Sequence, residues 1–518
     1  MKKDTKIIIL LICIIILIIS CLFVYLNKDS ILNNTSNISA SASSSEIEDE
    51  IDEDYTDISE TNLDENNKID VNLDSGYTIS KSGVYYFTGS ISDGLITVDT
   101  NSNVEIILDN VSITNTSGPA IYIKNAKNVY IKLVGESTLN STCTEDLDGA
   151  IYSKDSLTLF GDGSINITSS IDGIVSKDEL VIKSGTYNIN AYDDGIRGKD
   201  YVHIENGTFN IASKCDGIKS TNDTDTSLGY IKIDNGTFNI TTTSTTSTDS
   251  AKGIKATNNI IINGGTFNIN SIDDSLHSNG NISITNGKFE LSSGDDGIHA
   301  DNTLVIDGGT INIDKSYEGL EAAYMTINGG KITLVSSDDG INIASKTDST
   351  ANTRDQFAAT DGYLKVTGGE INVTAYGDGL DSNGSIYIDG GTIYVSQSGS
   401  GNGALDYNGT LEMNGGTLIA VGSNSMAQGI SSGNITSVLI NLSSNYSGEI
   451  SLSNITYTPT VSNYSSIVIA SSTLSVNSTY DLLINNSKIE SITISDTHTT
   501  IGTSSNNRMP SGNMRGKR

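Results

Sequence analysis

The sequence predicts an all-β protein, built as a right-handed parallel β-helix with turns of about 22 residues. Two short phrases that alternate down the chain of 518 residues predict this fold. The first is an acidic turn such as Asp193-Asp194-Gly195-Ile196, and the second is a glycine turn such as Asn263-Gly264-Gly265-Thr266. The third residue of the acidic phrase falls at 149, 173, 195, 217, 253, 275, 297, 319, 340, 379, 403 and 429, and the second glycine of the glycine phrase at 163, 185, 207, 236, 265, 287, 309, 330, 369, 391 and 416. Most steps span 21 to 24 residues, and two markers with one period indicate stacked repeats.

Apolar residues keep fixed places around each glycine turn. Ile260 and Ile262 precede Gly265 at alternate positions, and Phe267 and Ile269 follow it in the same way. This period of two indicates short strands with one face turned inward. About 22 residues supply three strands and three corners, so successive repeats are expected to stack about 4.8 Å apart.

Residues 1–26 predict a membrane segment. Three lysines precede an unbroken apolar run over residues 7–26, which is the length of a bilayer-spanning helix. The positive charges place the N-terminus inside and the rest of the chain outside. The alternative is a lipoprotein signal with Cys21 as the lipidated residue, but apolar residues continue after Cys21 and favour the anchor. Either way, we expect the bulk of the protein at the cell surface, on the extracellular face of the membrane.

The remaining chain divides into four segments by composition. Residues 27–69 are rich in Ser, Asn and acidic residues and predict a disordered stalk. Residues 70–430 contain the repeats of the predicted β-helix. The period is then lost while apolar strands continue, so residues 431–503 predict a small C-terminal β cap, and residues 504–518 predict a disordered tail.

The formal net charge of −32 limits the partners of this protein. Phosphate binding needs a basic surface, so nucleic acid is excluded, and cations are the natural partners. Cys143 and Cys215 lie three repeats apart, about 14 Å at strand spacing, which is too far for a disulfide. We expect the protein to be a monomer.

Several segments carry a resemblance to a known family. They are Ile91–Val98 at the start of the repeats, Asp378–Gly384 with its Asp-Gly-Leu and Ser-Asn-Gly elements, the Asn-Gly-Gly-Thr turns, and Tyr457-Thr458-Pro459 and Thr499–Gly502 near the end. With these, the region from about residue 70 to 502 resembles the bacterial cell-surface family of calcium-containing parallel β-helix carbohydrate-binding proteins, which are themselves similar to pectate lyases. The resemblance implies extracellular polysaccharide binding, with calcium ions held in the helix.

A column of carboxylates is expected where the acidic turns stack. Like charges about 4.8 Å apart repel one another, so the column needs positive charge within it. Calcium takes carboxylate oxygens at about 2.4 Å and can lie between two repeats, whereas magnesium demands a tighter octahedral geometry. The alternative is that these are ordinary Asp-Gly turns, in which Asp bonds its own backbone and Gly supplies a positive φ. The doubled acids favour calcium, and the predicted ligands are Asp193, Asp194, Asp216, Asp273, Asp274, Asp295, Asp296, Asp338 and Asp339.

A second column lies two residues after each turn glycine. Its basic members are Arg197, Lys219, Lys255, His277 and His299. One interpretation is that they neutralise the neighbouring acids. The other is that, together with calcium, they bind the carboxylates of an acidic polysaccharide, because a protein of net charge −32 needs cations to approach a polyuronate.

Aromatic residues have two different expected positions. Tyr187 and four phenylalanines occupy one place in successive repeats, which isoleucine takes later in the chain, so this column is predicted to lie in the core. Tryptophan is absent, and Tyr192, Tyr376 and Tyr387 are the only candidates for surface contacts with a sugar.

The sequence therefore predicts calcium-dependent binding of an extracellular polysaccharide, either polygalacturonate or a cellulose-like chain. One alternative is a passive surface adhesin or rod that calcium stiffens. The other is a pectate-lyase-like enzyme, in which calcium acidifies the substrate and Arg197 acts as the base. A catalytic site should interrupt a repeat rather than follow it, so we expect no enzymatic activity.

Overall fold

The computed structural model describes Ile47 and residues 56–244, 250–344 and 359–504. Over these residues the predicted all-β class is confirmed: a 44-stranded sheet and a four-stranded sheet are accompanied by two single-turn 3₁₀ helices, Ile58–Glu60 and Glu65–Asn67. Within the described residues, no helix has the length and apolar character needed to cross a bilayer. The predicted anchor at residues 7–26, the lipidation site Cys21 and the tail from residue 505 lie outside the described residues.

Most strands of the large sheet form three parallel ladders, because a strand in one repeat pairs with its counterpart in the next repeat, usually three strands further along the chain. Thr186–Ala191, for example, pairs with Thr208–Ser213, and Tyr187 lies opposite Phe209. Each repeat therefore contributes one strand to each ladder. The strands of the first ladder are Tyr77–Ile79, Ile96–Asp99, Ile121–Asn125, Gly149–Ser153, Asp172–Ser176, Ile196–Gly198, Ile218–Ser220, Ile254–Ala256, Leu276–Ser278, Ile298–Ile306, Leu320–Ile327, Ile341–Ile343, Leu380–Ser382 and Leu405–Tyr407.

The other two ladders follow the same rule. The second contains Ile69–Leu73, Gly83–Ile91, Val104–Asp109, Val129–Val134, Leu157–Gly161, Glu179–Ile182, Tyr201–Ile204, Tyr230–Ile233, Asn259–Ile262, Asn281–Ile284, the later halves of Ile298–Ile306 and Leu320–Ile327, then Tyr363–Val366, Ser385–Ile388, Leu411–Met413 and Ser432–Gly433. The third contains Ser112–Asn115, Glu136–Ser141, Ser164–Ser169, Thr186–Ala191, Thr208–Ser213, Thr237–Thr242, Thr266–Asn270, Lys288–Ser292, Thr310–Ser316, Lys331–Ser336, Glu370–Ala375, Thr392–Gln397 and Thr417–Gly422.

The core is built from columns of like residues, since the register places each marker opposite its copy. The predicted aromatic column is buried, and its rings stack face to face with centroids 4.6 to 5.1 Å apart. Its members are Tyr187, Phe209, Phe238, Phe267 and Phe289. This confirms that the column is core, and the ring spacing equals the separation of paired strands.

The acidic turns need glycine because the backbone of the next repeat is close. A Cβ added to Gly195 would lie 2.5 Å from the carbonyl oxygen of Gly217 and 2.5 Å from Ile211. Gly195 is not among the glycines with positive φ, whereas Gly265 of the glycine turn has φ 112°. The acidic turn therefore selects glycine for lack of space, and the glycine turn selects it for backbone conformation.

The strands after residue 431 add antiparallel pairing. Tyr464–Ser471 pairs antiparallel with both Thr417–Gly422, the last strand of the third ladder, and Ser437–Tyr446, which in turn pairs with His498–Ile501. The separate four-stranded sheet has the order Ile455–Tyr457, Ile450–Leu452, Thr479–Ile484 and Ser487–Thr493.

The last part of the predicted stalk has defined structure. Asp57, which caps the first 3₁₀ turn, pairs with Lys183 at 2.7 Å, and Glu65 pairs with Lys132 at 2.6 Å. The Tyr130 hydroxyl also donates a hydrogen bond of 2.7 Å to the carbonyl of Thr56. These contacts connect residues 56–65 to side chains on, or next to, strands of the second ladder. The other proposed boundaries stay predictions.

Candidate functional site

The inner acids of the acidic turns form a column at the corner before the first ladder, and those from Asp172 to Asp296 are buried. Asp194 and Asp216 are 3% and 0% exposed. The backbone N–H of Asp194 donates to Asp172 Oδ1 at 2.9 Å, and that of Asp216 donates to Asp194 Oδ1 at 3.0 Å. Asp274 accepts in the same way from the N–H of Asp296, at 2.9 Å. In each of these residues, Oδ1 thus accepts a hydrogen bond from a backbone N–H of the next repeat.

This arrangement corrects the simple alternative of ordinary Asp-Gly turns. The inner aspartates bond the neighbouring repeat rather than their own backbone, and the turn glycine does not supply a positive φ. The second oxygen, Oδ2, is left for another partner.

The outer acids of the doubled pairs are nearer to solvent. Asp193, Asp273 and Asp338 are half-buried, and Asp295 is exposed. The structure brings Asp273, Asp274 and Asp295 together, with one carboxylate oxygen of each within 4.8 Å of the others. Asp193 forms a similar group, with Asp172 and Asp194.

Two basic side chains supply the missing partner in the first part of the column. Arg197 Nε lies 2.9 Å from Asp172 Oδ2, and its terminal nitrogen also contacts Asp148. Lys219 Nζ lies 3.1 Å from Asp194 Oδ2 and 2.9 Å from Asp216 Oδ2. Both residues were predicted as ligand-binding, and in the structure both neutralise the acidic column.

Lysines also occupy the middle of the column. Lys252 stands at the place of an inner acid, with Nζ 2.6 Å from Asp273 Oδ2 and 3.1 Å from Asp274 Oδ2. It was absent from the predicted site residues, although a base in an otherwise acidic column is visible in the sequence. Lys255 reaches the column indirectly: Nζ donates to Ser250 Oγ at 3.1 Å, and that hydroxyl donates to Asp216 at 2.7 Å.

The two predicted histidines lie one repeat apart, with ring centroids 4.9 Å apart and ring planes tilted by 41°. His277 Nδ1 lies 2.7 Å from Asp274 Oδ2. His299 Nδ1 lies 2.9 Å from Asp296 Oδ2 and 3.0 Å from Glu321 Oε2. Burial opposes a charge on His299, but these carboxylates and Asp301, which lies 3.2 Å from Nε2, raise its pKa to about 12, so it is an imidazolium cation in the column.

The pKa values of the inner acids reflect incomplete neutralisation. Burial raises the pKa of Asp172 to about 6 and that of Asp194 to about 7, in spite of Arg197 and Lys219. Burial likewise raises the pKa of Asp296 to about 7. For Asp274 the hydrogen bond from His277 and the charge of Lys252 outweigh burial, and its pKa falls to about 2. The pKa of Asp216 is also lowered, because Lys219 and Lys255 outweigh burial.

The last part of the column has a different composition. Within residues 250–344 and 359–504, no basic side chain pairs with Asp339, Asp378, Asp381 or Asp406. Burial, followed by the charges of Asp339, Asp378 and Asp406, raises the pKa of Asp381 to about 8. Burial raises the pKa of Asp378 to about 7 and that of Asp339 to about 6. These four residues form an acidic cluster without a counter-charge among the described residues, and we call it the distal cluster.

Two further features belong to the distal cluster. Asn342 is 8% exposed, its Nδ2 donates to Glu318 Oε2 at 2.7 Å, and its Oδ1 has no hydrogen-bond partner. It lies in register with Asp381 on the next strand of the first ladder. Gly377 leaves space for two carboxylates, because an added Cβ would lie 2.5 Å from Asp338 Oδ1 and still closer to Asp339. The predicted ligands include Asp338 and Asp339. Asn342, Asp378 and Asp381 follow from the same two columns of the sequence but, like Asp406, were not among the predicted site residues.

Comparison with known proteins identifies the family. The family model described as "carbohydrate-binding domain-containing protein" matches residues 73–246, 241–297 and 295–340, which together are just over half of the chain. A relative of the same description from Acetivibrio thermocellus is 34% identical over 120 residues, which are 21% of this chain and 42% of that protein. The match thus spans less than half of the relative's length.

One solved structure is also similar. It is that of a polysaccharide lyase-like protein from C. thermocellum, determined as a gadolinium derivative, with 27% sequence identity. The likeness covers 43% of this chain and 98% of that one, with a TM-score of 0.38. On the family match, the chain belongs to the carbohydrate-binding domain-containing proteins.

Proposed function

We propose that this protein is a right-handed parallel β-helix that binds extracellular polysaccharide, with calcium bound in its acidic column. The family membership supports carbohydrate binding. Three parallel ladders, in which most strands pair with the third strand along, support the helical winding.

The distal cluster is the observation on which the calcium proposal rests. After burial, the charge of Asp339 raises the pKa of both Asp378 and Asp381, and no described base neutralises these acids. Asn342 Oδ1 is a buried acceptor without a donor, and an unsatisfied buried polar atom costs about 1–3 kcal/mol. Calcium binds carboxylate and amide oxygens with flexible geometry, so one ion would satisfy both deficits.

The other predicted calcium ligands have competing partners. Lys252 contacts both Asp273 and Asp274, and Lys219 contacts Asp194 and Asp216. A calcium ion at these places would have to displace or tolerate an ammonium group. The distal cluster, together with Asp338, is our first candidate for calcium because it lacks a described counter-charge. The Asp273, Asp274 and Asp295 group is the second, and its carboxylate oxygens lie within 4.8 Å of one another.

Calcium explains how a strongly acidic protein could bind an acidic polysaccharide. An ion that keeps part of its coordination open can bridge protein carboxylates to those of polygalacturonate. The predicted basic residues would contribute positive charge beside the ion, although each of them already contacts another side chain of the protein. They are Arg197, Lys219, Lys255, His277 and His299. A cellulose-like chain is the alternative ligand.

The arrangement of charges favours binding over catalysis. A lyase needs a base that can give up its proton near neutral pH. The surrounding aspartates raise the pKa of Arg197 and of Lys219 far above that range, against the effect of burial. We therefore propose that the protein is not a lyase, and that it acts at the cell surface through the N-terminal segment.

Calcium binding is tested on the full chain by calorimetry and thermal unfolding with calcium or chelator. We expect calcium to raise the melting temperature of the wild type, and Asp378→Asn with Asp381→Asn to remove most of that shift. Glu145→Gln with Asp146→Asn removes the same charge from an exposed turn and should keep the shift. Absence of any calcium effect on the wild type would remove calcium from the proposal.

Polysaccharide binding is tested by retention on polygalacturonate and on cellulose, with calcium or chelator. Calcium-dependent retention supports the proposal. Stabilisation by calcium without retention on any polysaccharide would instead support a passive rod, and formation of an unsaturated, ultraviolet-absorbing product would establish a lyase.

A further inference from the structure

His299 lies among three carboxylates that come from two consecutive repeats. Its Nδ1 is 2.9 Å from Asp296 Oδ2 and 3.0 Å from Glu321 Oε2, and its Nε2 is 3.2 Å from Asp301 Oδ1. Asp296 and Asp301 belong to the same repeat as His299, whereas Glu321 lies opposite His299 on the next strand of the first ladder. One imidazolium carries a single positive charge, so these three carboxylates favour a cation of higher charge in its place.

The two nitrogens of the His299 ring have different surroundings. Nε2 faces one carboxylate, that of Asp301, whose side chain is 8% exposed. A metal-ligating histidine usually donates its second N–H to a carboxylate in this way, which fixes the ring and leaves the other nitrogen for the ion. Nδ1 faces two carboxylate oxygens at once. Asp301 therefore holds the ring with Nδ1 directed at Asp296 and Glu321.

The spacing of the three facing atoms suits a small dication. One ligand atom each from Asp296, His299 and Glu321 lies within 4.8 Å of the other two. Zinc binds imidazole nitrogen and carboxylate oxygen at about 2.0–2.2 Å, so ligands in a tetrahedral site are about 3.4 Å apart. The present distances of 2.9 and 3.0 Å from Nδ1 need only a small widening. Asp296 is also anchored, because its Oδ1 accepts the N–H of Glu318 at 3.2 Å and leaves Oδ2 for an ion.

The neighbouring histidine offers a poorer site. Asp274, His277 and His299 also have ligand atoms within 4.8 Å of one another, and His277 Nδ1 lies 2.7 Å from Asp274 Oδ2. Lys252 Nζ is 3.1 Å from the same oxygen, however, and already supplies positive charge there. In the part of the chain that the structure describes, no lysine or arginine pairs with Asp296 or Glu321. The group around His299 is therefore the better place for a metal.

We propose that Asp296, His299 and Glu321 bind a transition-metal dication of the zinc class, with Asp301 orienting the imidazole. Imidazole nitrogen is a ligand for zinc, cobalt and nickel, whereas calcium takes oxygen ligands. The ion replaces the proton on Nδ1, and a fourth position of a tetrahedral site stays open to water. Asp296 was predicted from the sequence as a calcium ligand and here binds a different class of metal. The site is distinct from the distal cluster, and it depends on neither calcium nor polysaccharide.

Binding is tested by titrating the full chain, freed of metal by a chelator, with Co²⁺ alone. Cobalt takes the same ligands as zinc, and its visible absorption reports their number and type. We expect about one equivalent of Co²⁺ to produce an absorption band that excess Zn²⁺ removes and excess Ca²⁺ leaves in place. His299→Gln should lose the band. His498→Gln, which removes a half-buried histidine outside the acidic column, is the matched control and should keep it.

Two milder substitutions keep the test decisive if His299→Gln disturbs the fold. Glu321→Gln removes one metal ligand and should weaken zinc binding, measured by calorimetry, by at least about tenfold. Asp301→Asn changes only the partner of Nε2, so it should weaken binding by about 10–100-fold and still give the cobalt band. Melting temperatures of the metal-free proteins, unchanged from the wild type, would show that both substitutions act on the metal.

The possible outcomes separate this site from the calcium proposal. Absence of a cobalt band in the wild type, or an unchanged band in His299→Gln, overturns the zinc-class site. Displacement of cobalt by excess calcium also overturns it, in favour of an oxygen-ligand site, and leaves the proposed function intact. A cobalt band that persists in Asp378→Asn with Asp381→Asn supports a site independent of the distal cluster. Cobalt binding in a protein that calcium does not stabilise overturns the calcium proposal alone.

Discussion

Removal of the Arg197 charge should destabilise the protein in a pH-dependent manner. Arg197 Nε lies 2.9 Å from Asp172 Oδ2, and Asp172 is 1% exposed. The carboxylate cannot exchange the lost guanidinium for water, so breaking this pair leaves a buried charge. Arg197→Met keeps the aliphatic stem and therefore isolates the effect of charge.

The magnitude follows from the pKa of Asp172, which burial raises to about 6 although Arg197 opposes it. Because this value lies above the ordinary one, the contribution of Asp172 to stability is full in acid and is lost as pH rises through about 6. In Arg197→Met, the buried Asp172 carboxylate has no guanidinium partner, so it binds a proton and becomes neutral. At about pH 7.5 that protonation costs about 2 kcal/mol, since one pKa unit is about 1.36 kcal/mol.

Arg197→Met should therefore lower the free energy of unfolding by about 2 kcal/mol near pH 7.5. Loss of the contact with the partly exposed Asp148 should add less than about 1 kcal/mol. Near pH 5 the carboxyl is largely protonated in the folded wild type, so the loss from Asp172 should fall below about 0.5 kcal/mol.

Urea unfolding of four proteins measures these differences: the wild type, Arg197→Met, Asp172→Asn and the double variant. The amide oxygen introduced by Asp172→Asn can still accept the Asp194 N–H, which now donates to Asp172 Oδ1 at 2.9 Å. The double variant should therefore recover most of the stability that Arg197→Met loses near neutral pH. Equal losses at both pH values, or no recovery in the double variant, would refute this account.

Three further predictions concern the core. Phe238→Ala removes a buried ring stacked at 4.9 and 4.7 Å on its two neighbours, and should lower the free energy of unfolding by about 3–5 kcal/mol in urea titrations. Gly195→Ala places a Cβ 2.5 Å from the carbonyl oxygen of Gly217 and should cost about 1–3 kcal/mol in the same assay. Burial, then the charge of Glu65, raises the pKa of Glu105 to about 7, so Glu105→Gln should raise the melting temperature near pH 8 but not near pH 5.

A specific result would contradict each of these three predictions. A loss below about 1 kcal/mol for Phe238→Ala would show that the aromatic column collapses around a missing ring. An unchanged stability of Gly195→Ala would show that neighbouring repeats separate without cost. A gain for Glu105→Gln that is equal at both pH values would rule out relief of a buried charge.

The sequence predicted the backbone architecture more completely than the candidate site. The alternation around Gly265 and the repeated acidic phrase were sufficient to predict strands, corners and the buried aromatic column. A repeat places like residues above one another, so a column such as Tyr187 and Phe209 follows from the period alone. The anchor and the stalk up to residue 55 stay predictions.

The candidate site was predicted only in part. The sequence located the acidic and basic columns but left open whether the bases would meet the acids or a ligand. The structure shows Arg197 and Lys219 paired with aspartates. Long side chains can reach the repeat above, the repeat below or the solvent. Neighbouring charges decide among these, so the spacing in sequence does not determine the partner of a basic side chain.

The sequence by itself determined the all-β class, the period and the columns, because each repeat carries its own turn and strand signals. Only the tertiary structure decided which part of the acidic column stays without a counter-charge and which carboxylates meet at His299. Asn342 depends on a neighbour one repeat away for its hydrogen bond, and Glu321 reaches His299 from the next repeat. Such pairings are properties of stacked neighbours, and they arise only when the repeats pack.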